Sequence, residues 1–226
     1  MSDDSRTLDP SVIAPRLGRR TEEALSYALA VHGAQVRKRL PVPYVSHLLA
    51  VASLVLEDGG DEEQVVAALL HDAAEDQGGE GRLADIRWRF GSDIAAMVAA
   101  LSDSLAADPA QKAPWRTRKA EYLARLRLER DERIVRVALA DKLHNARCVV
   151  TDASADDGAW GRFTAGPEET LGYYRACLEA FEGGPLRSRY IAELRRVVET
   201  MATLVAGRGP RIDGTDDPRR GDGAGS

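Results

Sequence analysis

Aromatic residues are scarce, at 5% of the chain, so a core has to be built mostly from alanine, valine and leucine. Cysteine is scarcer still. Cys148 and Cys177 stand far apart without metal-ligand spacing, which removes a cysteine-held metal centre and fits a reducing cytoplasm. Excess positive charge is also missing. A formal net charge of −5 argues against a general nucleic-acid binder, which needs a basic face. No apolar run approaches the length needed to span a membrane. The opening MSDDSRTLDP lacks a basic segment followed by an apolar one, so no signal peptide is expected. No alternating run marks a strand, and no segment repeats.

What is present is helical patterning in 226 residues, enough for one good-sized domain. Residues 1–18 read as a flexible segment, 19–206 as the domain and 207–226 as a disordered tail. Thr21 is a plausible N-cap for a first helix reaching His32. A basic loop with two prolines, 35–44, leads to a helix carrying His47 at its start. Asp61, with Gln64 three residues on, opens a central helix running to Asp76. Residues 103–114 are polar and read as mobile, and long helices follow from Trp115, Asp131, Pro167 and about Arg187. The expected fold is all-α, with about eight or nine helices.

Within the central helix, an apolar run from Val65 to Leu70 delivers His71, Asp72, Glu75 and Asp76. Residues four apart share a helix face, so Asp72 and Asp76 continue the inward stripe of Val65, Ala68 and Leu69. Carboxylates at the end of a buried stripe are costly unless a cation or proton compensates them. An adjacent His-Asp pair offers nitrogen and oxygen ligands to a divalent metal. The alternative is a helix end fraying into solvent. Asp141 falls on the buried stripe of Ile134, Val137 and Ala138 and also needs a partner. Lys142 is adjacent, but neighbours in sequence do not face each other on a helix. His32 and His144 read as structural.

The ordered set Arg37-Lys38, Pro43-Tyr44-Val45-Ser46-His47, Leu70-His71-Asp72-Ala73-Ala74-Glu75-Asp76 and Ala140-Asp141-Lys142-Leu143-His144-Asn145 resembles the HD-domain hydrolases of the alarmone type. These include the hydrolase half of Rel/SpoT enzymes and the stand-alone small alarmone hydrolases. The resemblance covers roughly residues 21 to 182 and implies an HD-domain helical bundle. It implies that His47, His71, Asp72 and Asp141 bind one Mn²⁺, and that Glu75 and Asp76 position the attacking water and handle its proton. Arg37 and Lys38 resemble the residues that contact base and phosphates; Tyr44 and Asn145 would shape the nucleoside pocket, and Arg147 would meet phosphate. The chain departs from the pattern at Leu48, where proline is usual, at Cys148, where threonine is common, and at Gln77, which replaces a threonine.

Between Lys112 and Arg136, nine basic residues face four acidic ones. Either this is a solvated helix face, or Lys112, Arg116, Arg118 and Lys119 reach over the site and hold phosphate. The expected function is Mn²⁺-dependent removal of the 3′-diphosphate from ppGpp or pppGpp, giving GDP or GTP in the cytoplasm. The alternatives are an HD-domain phosphohydrolase of NADPH or an adenine alarmone, and an inactive nucleotide-binding module.

Overall fold

The computed structural model describes residues 16–37, 40–162 and 164–207. The expectations for residues 1–15, for Lys38 and for the tail beyond 207 lie outside them. Among the described residues ten α-helices follow one another: α1 (Arg19–His32), α2 (Val45–Glu57), α3 (Glu62–Leu70), α4 (Ala73–Asp76), α5 (Gly79–Phe90), α6 (Ser92–Leu101), α7 (Trp115–Leu128), α8 (Glu132–Ala155), α9 (Pro167–Glu182) and α10 (Arg189–Ala206). Short 3₁₀ turns cover Pro109–Gln111 and Asp157–Arg162. Among the described residues there is no strand, only an isolated bridge between Val36 and Pro43. The all-α expectation therefore holds. Among the described residues no helix is long and apolar enough to cross a membrane.

Helix α3 is the axis of the bundle. Asp61 caps it, its carboxylate accepting the Gln64 amide at 3.0 Å. Every residue from Gln64 to Leu70 is buried, so beyond its first two residues α3 has no solvent face. The alanines at 67 and 68 leave room for neighbours to approach, and α1, α2, α6 and α8 pack around it. Helix α8, the longest, lies on α2, α3, α6, α9 and α10 and starts from Asp131, whose side chain accepts the Arg133 amide. Asp141 thus sits on the buried face of one central helix, opposite the C-terminal end of the other.

Three local expectations are corrected. Thr21 does not cap α1; Gly18 does, and the Thr21 hydroxyl instead donates to Glu62. The central helix is not continuous to Asp76. It ends at Leu70, and His71–Asp72 form a turn before the four-residue α4. The Asp76 amide still donates to the Asp72 carbonyl at 2.9 Å, so the two carboxylates stay one turn apart and line the same cavity, Asp76 the more exposed of the two. Residues 103–114 are tied down: Asp103 is buried, Asp108 caps the short 3₁₀ turn, and Leu105 accepts the Glu80 amide at 3.2 Å.

Gly79 makes that last contact possible. Its φ is +57°, and a Cβ there would lie 2.2 Å from the Leu105 carbonyl oxygen. Gly79→Ala is expected to destabilise the fold by about 2 kcal/mol or more, because backbone must shift as well as twist. A thermal melt would register this as a Tm lower by roughly 4–8 °C, using the scaling for a domain of this size. An unchanged melt would contradict the close approach of these two segments.

Candidate active site

Three chain segments converge at the C-terminal end of α3. The loop before α2 folds back on itself, with Arg37 N–H donating to Val42 at 2.9 Å and Tyr44 N–H to Gln35 at 2.9 Å. This closure sets Arg37 and Tyr44 beside the first turn of α2, where His47 is fully buried. The α3–α4 break supplies His71 and Asp72, and α8 supplies Asp141.

His47 Nε2 lies 3.2 Å from Asp141 Oδ1 and 3.4 Å from Asp72 Oδ2. His71 Nε2 lies 3.1 Å from Asp72 Oδ2 and 3.7 Å from Asp141 Oδ1. Neither imidazole nitrogen makes a directed hydrogen bond among the described residues, although both are buried. Ligand atoms of His47, His71 and Asp141 fall within 4.8 Å of one another. Two orphaned imidazole nitrogens aimed at the same point as two carboxylates are what a divalent cation requires. The outer contacts agree. His71 Nδ1 donates to the Ala68 carbonyl at 2.7 Å, which leaves its Nε2 lone pair facing inward. His47 Nδ1 meets His144 Nδ1 at 2.8 Å. Burial, His47 and Arg37 together lower the His144 pKa to about 4, and a proton held on His47 Nδ1 toward this neutral ring would leave the His47 Nε2 lone pair for a cation.

Charges at this point are strongly biased. Burial opposes a charged His71, yet Asp72 and Asp141 outweigh it and hold its pKa well above the usual range. Burial likewise opposes charge on Asp72 and Asp141. His71 and His47 beside the first, and Lys142 with both histidines beside the second, still keep both carboxyls well below the usual range. The site is thus a preformed locus for positive charge.

Lys142 corrects an expectation. Its stem curls back so that Nζ lies 2.6 Å from Asp141 Oδ2, under the ring of Tyr122 at 4.5 Å. Helix geometry keeps the backbones of adjacent residues apart, but a four-carbon side chain spans that gap. Asp141 also accepts from Asn145, which in turn receives Arg37 at 2.8 Å.

Glu75 and Asp76 stand one turn beyond, in α4. Glu75 is pushed up to about 8 by burial and by the carboxylates of Asp103 and Asp72, while its Oε2 accepts the Asp103 amide at 2.8 Å. Asp76 is also raised, by desolvation and by Asp72. Tyr44 donates to Asp72 Oδ2 at 2.6 Å and carries the Arg37 guanidinium 5.5 Å above its ring.

A cavity of about 420 Å³ opens on this cluster. Arg37, Asp72, Glu75, Asp76, Asp141 and Asn145 line one side. Helices α7 and α9 close the other with Arg118, Lys119, Tyr122, Tyr173 and Tyr174. Among the expected phosphate contacts, Arg118 and Lys119 reach the cavity, both paired to Asp103. Lys112 instead donates to the Glu75 carbonyl at 2.7 Å. Arg116 pairs with Glu169, and Arg147 with Glu193 on α10, away from the cavity. Missed from sequence were His144, three residues after Asp141 on the same helix, Asp103 as counter-charge to the basic run, and the tyrosine wall of α9.

Known proteins are similar to this chain in sequence and fold. A guanosine-3′,5′-bis(diphosphate) 3′-pyrophosphohydrolase of Aquifex aeolicus is 32% identical over 135 residues, 59% of this chain but 18% of its own length. The chain spans less than a fifth of the length of the curated relatives it matches. A solved structure from Listeria monocytogenes EGD-e is 31% identical, with a TM-score of 0.60, over 70% of this chain and 97% of its own. A metazoan SpoT ortholog, described as hydrolysing ppGpp, shares the fold at 22% identity and a TM-score of 0.62 over 87% of this chain and 99% of its own. The HD domain family model matches residues 24–160, which spans His47, the His71-Asp72 turn and Asp141. With that match over more than half of its length, this chain belongs to the HD-domain family.

Proposed function

We propose that the chain is a Mn²⁺-dependent pyrophosphohydrolase of guanosine tetra- or pentaphosphate. The observation that carries this reading is the meeting of two orphaned imidazole nitrogens, two depressed carboxyls and two raised ones beside a tyrosine-walled cavity that also presents Arg37, Arg118 and Lys119. The Aquifex relative's name supports the substrate class. His47, His71, Asp72 and Asp141 would hold the cation. When bound, it supplies Lewis-acid charge that acidifies water and offsets negative charge on the phosphoryl group.

The chain's own residues divide the rest. The reaction adds water across the bond between the 3′-oxygen and phosphorus, releasing pyrophosphate and GDP or GTP. Asp76, open to solvent, orients the incoming water through a carboxylate oxygen and takes its proton. Glu75 keeps a proton up to about pH 8, so at neutral pH it is the acid able to protonate the departing 3′-oxygen. Arg37, planar and resting over Tyr44, offers a face for a base and donors for phosphate. Arg118 and Lys119, pre-held by Asp103, point positive charge at the diphosphate.

Two measurements test this. Mn²⁺-loaded protein given ppGpp should yield pyrophosphate and GDP by ³¹P NMR, with kcat/KM above that for NADPH or an adenine alarmone. A preference for either rival would reassign the substrate, and no turnover of any would overturn the reading. Arg118→Ala should lower kcat/KM by about 10–100-fold, the range for a lost charge-assisted hydrogen bond to phosphate. A variant with unaltered kinetics would remove Arg118 from the binding site.

A further inference from the structure

We infer that Gln35 is a positioning residue that clamps the Asp76 carboxylate, and that His32 and Gln77 lock the clamp. The inference rests on the hydrolytic reading of Asp76 given above. Asp76 ends a helix of only four residues and faces solvent, so nothing in α4 itself stops its carboxylate from swivelling. Gln35 Nε2 lies 2.7 Å from Asp76 Oδ2. A carboxylate accepts, so the amide nitrogen must be the atom facing it. Gln35 Oε1 then faces two groups, His32 Nδ1 at 2.7 Å and Gln77 Nε2 at 3.1 Å. Both must donate. With the carboxylate ionised, only one amide orientation satisfies all three contacts, and a flipped amide would break the one to Asp76.

The lock is itself rigid. His32 is 3% exposed and stacks on Tyr44 with centroids 5.0 Å apart and planes within 17°. The Gln35 backbone is fixed at both ends, its N–H donating to His32 and its carbonyl accepting from Tyr44. Tyr44 holds Asp72 through its hydroxyl, so one stacked unit sets both a metal-ligand candidate and the water-orienting carboxylate. With Oδ2 engaged, the other oxygen of Asp76 has no protein hydrogen bond among the described residues and is left for water. Gln77 is where this chain departs from the threonine usual in the resembled family, and its longer side chain supplies the reach to Gln35.

The test uses the full chain, labelled with ¹⁵N and loaded with Mn²⁺ for kinetics or kept metal-free for NMR. The Gln35 side-chain amide pair, identified by its loss in Gln35→Ala, should exchange slowly with water and lose that protection in Asp76→Ala and, in part, in Gln77→Ala. Gln35→Ala should lower kcat by about 10–100-fold, the cost of a misplaced group, with KM and Mn²⁺ content within about twofold. Gln77→Ala should cost kcat about 3–10-fold alone and nothing further on top of Gln35→Ala, because both act through one contact. An amide indifferent to Asp76, a change confined to KM, or additive effects of the two variants would each overturn the clamp. Were the wild type to turn over no nucleotide, the proposed function would fall, while the amide signal would still decide whether the clamp exists.

Discussion

Replacing Asp72 by alanine is expected to abolish turnover of ppGpp, with kcat/KM lower by at least about 10³-fold, the several kcal/mol that a charge-stabilising cation contributes. The cause lies in the spacing of the donors. Asp72 Oδ2 is within 3.4 Å of both His47 Nε2 and His71 Nε2, so its loss leaves two imidazoles with half of their anionic complement. Mn²⁺ retention should fall together with activity. Helical content by circular dichroism should be unchanged, because the residue is half-buried at a helix break and carries no core packing. A variant that still binds Mn²⁺ tightly and hydrolyses ppGpp would remove Asp72 from the centre.

Glu75→Gln is expected to lower kcat by about 10²–10⁴-fold, the usual contribution of a positioned proton-transfer group, while Mn²⁺ stays bound. The same residue gives metal-stripped protein a distinctive pH dependence. Unfolded, the carboxyl titrates near 4.5; folded, burial and the Asp103 and Asp72 carboxylates push it up to about 8. Between these values the folded chain holds a proton that the unfolded chain has released. The contribution of Glu75 to stability is therefore fully present below about pH 4.5 and is lost as pH rises through about 8. Glutamine cannot ionise, so the Tm of the variant should gain on that of the wild type as pH rises across this window. Scanning calorimetry at pH 5 and pH 8.5 reads the difference, and a constant gap would contradict the raised pKa.

The burial of His71 and Asp141 and the half-burial of Asp72 were foreshadowed by short local motifs, whereas His47 entered only through the family resemblance. His71-Asp72 at the end of an apolar run and Asp141 on a buried stripe both posed a charge problem that a cation solves. The bundle was legible because apolar periodicity and caps such as Asp61 and Asp131 are local signals. The break at His71–Asp72 was not, because the preceding apolar run continues the helical pattern up to it. The tie between Lys142 and Asp141 was hidden by reasoning about backbone faces where a flexible side chain decides. Contacts such as Arg118 with Asp103, or Gln35 with Asp76, join segments far apart in sequence through single polar atoms. Such pairings leave no periodic trace. His144 was within reach, since residues three apart on a helix lie on one face.

The central claim is that the α2, α3–α4 and α8 segments converge on one divalent cation. Anomalous diffraction from crystals grown or soaked with Mn²⁺ tests it most directly. A single anomalous peak is expected within bonding distance of His47 Nε2, His71 Nε2 and the carboxylates of Asp72 and Asp141. Saturating Mn²⁺ with no peak among these four side chains, or a peak held by other residues instead, would contradict it.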